Sequence, residues 1–221
     1  MSVAQQPPMG WRERLLQQFG TQVANPRGPL GAVIGKTVFT RGNAPFNQWV
    51  MQQLDLQPNS RVLEVGCGPG VTLQALAARV PEGHVVGVDR SPVMVAQARR
   101  RGRALLRAGH LEVLEGSTEA LPFADASFDL VVAIHVLYFW PDAIATLTKL
   151  RRVLRTGGKV AIGFVCKDAA PKVTQSAFDV TGARLAVSPE AVADLLQSAG
   201  YTHIGVSSNG HGGYCALGQQ G

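Results

Sequence analysis

Cysteine is scarce in this chain. Among 221 residues there are three, Cys67, Cys166 and Cys215, with no CxxC pair. A disulfide framework needs an even set of cysteines, and a structural zinc site needs clustered thiolates and imidazoles, so neither organises this fold. The thiols are expected to be reduced, and no metal is expected. Long hydrophobic runs are missing too. The longest, Leu130 to Pro141, contains His135 and falls short of the roughly 18 or more residues that a membrane span requires. The amino terminus, MSVAQQPPMGWRERLLQQFG, has no continuous apolar segment after a basic start, so it does not read as a secretory signal. A cytoplasmic location is the expectation.

Charge is sparse at 16% of residues, yet it is unbalanced, with Lys and Arg numbering 21 against 15 Asp and Glu, a net of +6. Arg99, Arg100, Arg101, Arg103 and Arg107 gather on one predicted exposed helix, and Arg151, Arg152 and Arg155 lie further on. Such a face can meet an anionic partner. No aromatic residues interleave with it as a stacking platform for single strands requires, so it reads as a solvated face and nucleic acid is not expected as a partner.

What is present points to a globular chain. Apolar residues make up 46%, and 25 Gly with 13 Pro imply many tight turns. The length suits one domain. Residues 1–10 read as a frayed tail and 11–19 as a short amphipathic helix. The stretch 25–43 is Gly-rich and breaks long periodicity. A helix is predicted over about 44–54, where Phe46, Trp49, Val50 and Leu54 make one stripe. Residues 1–55 are too few for their own core, so they are read as a helical cap on a domain spanning 56–221.

From residue 61 strands and helices alternate. Strands are predicted at 61–65, 84–88, 111–115, 128–134 and 159–165, and helices at 71–80, after Ser91, and at 142–154. Ser91 can cap its helix with Pro92 in the first turn. In 142–154 Ile144, Leu147, Leu150 and Leu154 are expected to line one buried face. This order indicates a doubly wound, mostly parallel sheet built of right-handed βαβ units. The strand 128–134 is almost wholly apolar, as burial on both faces demands. A final helix from Ser188-Pro189, with Val192, Leu195, Leu196 and Ala199 on one face, precedes a hairpin of 202–208 and 214–218 about the turn NGHGG.

The strongest local signal is VLEVGCGPG, residues 62–70. An apolar strand runs into Gly66, Gly68 and Gly70, and a helix opens at once. Glycines there let the backbone turn tightly and approach a ligand closely. The second signal is Asp89, at the end of HVVGVD and 19 positions after Gly70 (89 − 70). An acidic side chain at that place accepts hydrogen bonds from ribose hydroxyls.

These segments, followed by VGVDRSPVMVAQAR, GSTEALPFADASFDLVVAIHVLYFWPD and LRRVLRTGGKVAI, resemble the class I S-adenosylmethionine-dependent methyltransferases of the type-11 domain group. The resemblance covers roughly residues 60–165. It implies a Rossmann-like sheet of seven strands with the last antiparallel, and S-adenosylmethionine as cofactor, leaving as S-adenosylhomocysteine. By position, it puts Gly66, Cys67, Gly68 and Gly70 around the methionine part, with Glu64 on its ammonium side. Asp89 would take the ribose, Arg90 and Met94 would flank the adenine, and Ser117 and Thr118 would lie at its edge. Backbone from Ala133 to His135 would close the site below the sulfonium. The family often has Asp where this chain has Ser117, a side chain that can donate or accept. A nicotinamide enzyme fits less well, since the loop is GxGxG rather than GxGxxG.

Methyl transfer from a sulfonium needs alignment more than covalent help from the protein. His135, at the end of an apolar strand, is the residue to act as base or to position the substrate. Tyr138, Phe139 and Trp140 follow, as pocket lining or as packing. His211 and Tyr214 are rim candidates, and Trp11, Phe19, Asn43, Phe46 and Trp49 are candidate walls from the cap. This apolar and aromatic set implies a small hydrophobic or aromatic acceptor, methylated on O, N or C. No NPPY or DPPY follows the fourth strand and there is no Pro-Cys pair, which excludes the usual nucleobase enzymes. Two other readings stay open: an RNA or protein methyltransferase, and a cofactor-binding protein without transferase activity. Nothing in the sequence selects an oligomeric state.

Overall fold

A computed structural model describes residues 10–170, 175 and 188–221. Most of the segment read as a frayed tail, residues 1–9, lies outside the described residues. Three helices come first: α1 (Trp11–Ala24), α2 (Gly28–Ile34) and α3 (Ala44–Gln52). Then follow β1 (Arg61–Val65), α4 (Val71–Arg79), β2 (His84–Asp89), α5 (Pro92–Arg101), α6 (Arg103–Arg107), β3 (Leu111–Glu115) and β4 (Phe128–Ile134). The chain ends with α7 (Ala143–Val153), β5 (Leu154–Val165), a helix we number α8 (Pro189–Ser198), β6 (Thr202–Ser208) and β7 (Gly213–Gln219).

The strands form one seven-stranded sheet in the order β3-β2-β1-β4-β5-β7-β6. β1 pairs in parallel with both β2 and β4, while β7 runs antiparallel to β5 and β6. The expected seven-stranded sheet with an antiparallel final strand is therefore the observed one. Alternation along the strands divides the core into two layers. Leu63, Val65, Val131 and Ala133 pack on one face with Leu147 and Leu150 of α7 and Leu196 of α8. Val62, Val85, Leu130 and Val132 pack on the other with Val50 of α3, Leu73 and Leu76 of α4, and Val95 and Ala98 of α5. Both faces are covered, which is why β4 shows almost no polar residue.

Two readings need correction. Ile144 is 41% exposed. Leu147 and Leu150 are buried as expected, and Thr146 and Val153 rather than Ile144 complete that face of α7; Asp142 caps the helix through Ala145 N at 2.9 Å, and packing against the sheet selects its rotation. Leu154 belongs to β5 and pairs with Phe128, so the strand begins earlier than Lys159. The Gly-rich stretch is also more regular than its composition implies. It folds as α2 and a π-helix, Gly35–Gly42, held by contacts that no periodicity encodes. Gln97 Nε2 donates to Ala32 O at 3.1 Å, and Arg90 Nη2 donates to Ala24 O at 2.7 Å.

Ser91 joins these two regions. Its hydroxyl accepts from Met94 N at 3.3 Å, capping α5, and donates to Pro26 O at 2.5 Å. Ser91→Ala is expected to cost about 1–2 kcal/mol, the lost cap plus an unsatisfied buried carbonyl, measured by urea unfolding. A change under about 0.3 kcal/mol would show that neither bond matters to stability.

Candidate cofactor and acceptor site

The strand order reverses between β1 and β4, and in open α/β sheets ligands settle outside the carboxyl ends of strands at such a point. A cavity of about 590 Å³ lies there, roofed by α1, α3 and the π-helix. Its floor is the loop after β1. Gly66 N and Cys67 N both donate to Val88 O, at 2.7 and 3.1 Å, which hangs the loop from the end of β2. Gly68 N donates to Asp89 Oδ2 at 2.8 Å, and Ser91 N to Asp89 Oδ1 at 2.8 Å. One carboxylate thus orders the glycine loop and the start of α5 together.

The glycines differ in purpose. Gly68 lines the cavity with φ +52°, and a Cβ placed there meets nothing within 4 Å. It leaves open a cradle that a side chain would fill. Gly70, at φ +76°, does not line the cavity. A Cβ there would lie 2.9 Å from both Cα and Cβ of Ala98, so it lets α4 approach α5.

The electrostatics are those of a buried acidic floor. Glu64 is 3% exposed. Burial, with a smaller contribution from the Asp89 charge and against a hydrogen bond from Thr72, pushes its carboxyl up to about 8. Burial also raises the Asp89 carboxyl, against the N–H groups of Ser91 and Gly68 and the charge of Arg90. The Cys67 thiol is raised by burial first and by the two carboxyls next. Glu64 Oε2, Asn47 Oδ1 and His135 Nε2 are buried without a hydrogen-bond partner. Buried polar atoms of this kind are ordinarily satisfied by water or by a ligand.

His135 has φ +59°, a left-handed conformation that a non-glycine residue adopts only when its surroundings hold it there. Its N–H donates to Gly163 O at 2.9 Å, and its ring lies 4.7 Å from that of Phe46. Nδ1 is 3.5 Å from the Tyr138 hydroxyl, which accepts from Val165 N at 2.6 Å. With the Tyr138 hydrogen turned to Nδ1, the imidazole proton sits on Nε2. Burial pushes the imidazole down to about 4, so it is neutral at ordinary pH.

The cavity gathers most of the residues picked out in the sequence. Glu64, Gly66, Cys67 and Gly68 line it, as do Asp89, Arg90 and Met94, then Ser117 and Thr118, then His135. Tyr138, Phe139 and Trp140 reach it, with Phe19, Asn43, Phe46 and His211. Others stand apart. Ala133 is fully buried within the core, one residue inside β4, and Ile134 lines the site in its place. Tyr214 stacks on Phe164 at 5.6 Å, Trp11 is 65% exposed, and Trp49 packs with the core beside Phe46. Asn47, Thr72, Phe39 and Val136 line the cavity although the sequence reading passed over them. Asn47 directly follows Phe46 in a helix already assigned to the cap, which is the signal that could have found it.

A family described as a methyltransferase domain matches residues 63–162. A methyltransferase of Bacillus subtilis, YdaC, is 30% identical over 146 residues, covering 65% of this chain and 78% of its own. The chain belongs to the class I S-adenosylmethionine-dependent methyltransferases. The demethylmenaquinone methyltransferase of Bacillus cereus strain B4264 is 34% identical over 129 residues, 58% of this chain and 54% of that enzyme. A methyltransferase structure from Aquifex aeolicus superposes with a TM-score of 0.72 at 21% identity, over 86% of this chain and 98% of the other; it shares the fold. The residues present suit the family's cofactor, since a buried carboxyl with one oxygen unpartnered, a glycine cradle and a second carboxylate stand along one cavity. Among the described residues of this methyltransferase, no group of three or more His, Cys, Asp or Glu is placed to hold a metal ion. Nor, among them, is any helix long and apolar enough to cross a membrane.

Proposed function

We propose that this methyltransferase transfers a methyl group to an O, N or C atom of a small, uncharged, hydrophobic or aromatic metabolite. One observation carries the reading. The charged residues lining the cavity among the described residues are Glu64, Asp89, Arg90 and Glu119, all at the cofactor end. The rest of the wall is made of aliphatic and aromatic side chains and glycines, with Asn, Ser, Thr and His as its polar groups. A charged acceptor buried against that wall would lose its hydration without a partner. A relative named for a menaquinone precursor fits the same class.

The cofactor supplies an electrophilic methyl on a cationic sulfur when bound. Glu64 and the loop through Gly68 hold its amino-acid end, and Asp89 takes its ribose. Met94, Ser117 and Thr118 border the adenine. The residues of this chain then align the acceptor and exclude water, a contribution of up to about 7–11 kcal/mol in well-oriented reactions. With its proton on Nε2, His135 offers a donor that can orient an acceptor oxygen. We read it as a positioning residue rather than a base. His135→Ala is expected to lower kcat/KM about tenfold, with the shape of the pH profile unchanged between about pH 6 and 8. A loss of about a thousandfold, or a vanished pH limb, would restore the base role.

The basic helix gives the RNA-or-protein reading little support. Arg99 donates twice to Val113 O, and Arg101 donates to Pro69 O, so part of that charge is used internally. The direct test offers labelled S-adenosylmethionine with uncharged phenols and quinols, their carboxylated or aminated counterparts, and RNA. Turnover is expected on the uncharged set. Preference for the charged set, or for RNA, defeats the reading.

A further inference from the structure

Two of the unpartnered buried atoms belong to one chain of contacts. Asn47 Nδ2 lies 3.5 Å from Thr72 Oγ1, and the Thr72 hydroxyl hydrogen-bonds the Glu64 carboxyl. A hydroxyl carries a single hydrogen. Accepting from Asn47 and donating to Glu64, Thr72 orients both neighbours. The Asn47 amide nitrogen faces Thr72, and its oxygen is left over. Glu64 is likewise left with Oε2. Asn47 of α3 and Glu64 of β1 both line the cavity, and each thus keeps one buried acceptor atom without a donor. An amide oxygen and a carboxyl together match an ammonium group, which brings three donors and a charge.

We propose that Asn47 Oδ1 and Glu64 Oε2 jointly hold the α-ammonium of the cofactor's methionine end, so that cofactor binding fastens α3 to β1. This rests on the cofactor site proposed above and adds to it a residue from the amino-terminal helices. Around Glu64 stand Asp89 from β2, the Cys67 thiol, Thr72 from α4, Asn47 from α3 and the neutral His135 past β4. None of these is a cation. Before the cofactor arrives Glu64 is therefore mostly protonated at pH 7. The docking ammonium is already charged, so the carboxyl gives its proton to solvent and an ion pair forms.

Calorimetry with two ligands tests this. S-adenosylhomocysteine and 5′-methylthioadenosine share the nucleoside, and only the first has the amino-acid end. Asn47→Ala is expected to weaken S-adenosylhomocysteine about tenfold or more, and 5′-methylthioadenosine by less than about twofold. Asn47→Asp, which keeps an acceptor oxygen, restores binding at least in part, whereas Asn47→Leu does not. At pH 7 S-adenosylhomocysteine is expected to release close to one proton from the wild type, read from the heat in buffers of different ionisation enthalpy. Glu64→Gln abolishes that release, and 5′-methylthioadenosine shows none. Equal weakening of both ligands by Asn47→Ala, or an unchanged S-adenosylhomocysteine affinity, overturns the proposal. A wild type that binds neither ligand overturns the cofactor site beneath it.

Discussion

Asp89→Ala weakens binding of S-adenosylmethionine and S-adenosylhomocysteine by at least about tenfold, and by about a hundredfold if the whole loop relaxes. The carboxylate does two jobs. Each oxygen accepts one backbone N–H, from Gly68 or from Ser91. A carboxylate has about four acceptor positions, so two remain for the ribose hydroxyls. Its removal takes away those two and frees the glycine loop from the start of α5. Asp89→Asn separates the effects. It keeps the volume but turns an amide NH2 toward one of the backbone donors, so it also binds weakly without leaving a void. Calorimetry measures the affinity, and urea unfolding shows whether the variant is folded. A folded Asp89→Ala protein with wild-type affinity would remove Asp89 from the cofactor site.

Gly70→Ala acts on stability, by about 2–5 kcal/mol. The left-handed conformation costs an alanine roughly 1–2 kcal/mol. The new methyl also meets Ala98 Cα and Cβ at 2.9 Å, and overpacking of that kind costs about 1–3 kcal/mol. The clash is with the backbone of α5, so no rotamer relieves it. The helix itself must move, and it carries Met94 of the cavity. Gly68→Ala is the contrasting change. Its methyl meets no protein atom within 4 Å, so only the backbone term of about 1–2 kcal/mol applies, while the methyl occupies space offered to the ligand. Thermal unfolding should fall further for Gly70→Ala, and cofactor affinity further for Gly68→Ala. The reverse ranking would show that the roles of the two glycines are exchanged.

Much of the fold was legible because strand and helix leave periodic marks. The two-sided burial of β4 is visible as an unbroken apolar run, and the Ser91 cap is visible as a Ser-Pro step before a helix. The stretch 25–43 was not legible. It is held by Ser91 at Pro26 and Gln97 at Ala32, and the end of α1 before it by Arg90, all more than sixty positions away in the chain. Ile144 misled for a related reason. Several rotations of α7 bury an apolar stripe, and the cap at Asp142 together with the packing against the sheet selects one.

The candidate site divides along the same line. The glycine loop and Asp89 lie at strand ends, where backbone geometry alone directs them to one crevice. Tyr138, Tyr214 and Trp49 are all aromatic residues near that crevice in the chain, yet Tyr138 lines the cavity, Tyr214 stacks on Phe164, and Trp49, half-buried, packs against the core. Aromatic composition is equally suited to lining and to packing, so only the assembled neighbours distinguish them.

By itself the sequence determined the alternation of strands and helices, the glycine turn and the acidic residue at the end of β2, since each follows from local period or backbone conformation, while the seven-stranded sheet followed from the family resemblance. Tertiary structure decided which polar atoms are left without partners, how His135 is turned, and that Asn47 reaches toward Glu64 through Thr72. Those outcomes depend on burial and on hydrogen-bond direction between segments distant in the chain, and neither quantity exists until the segments have met.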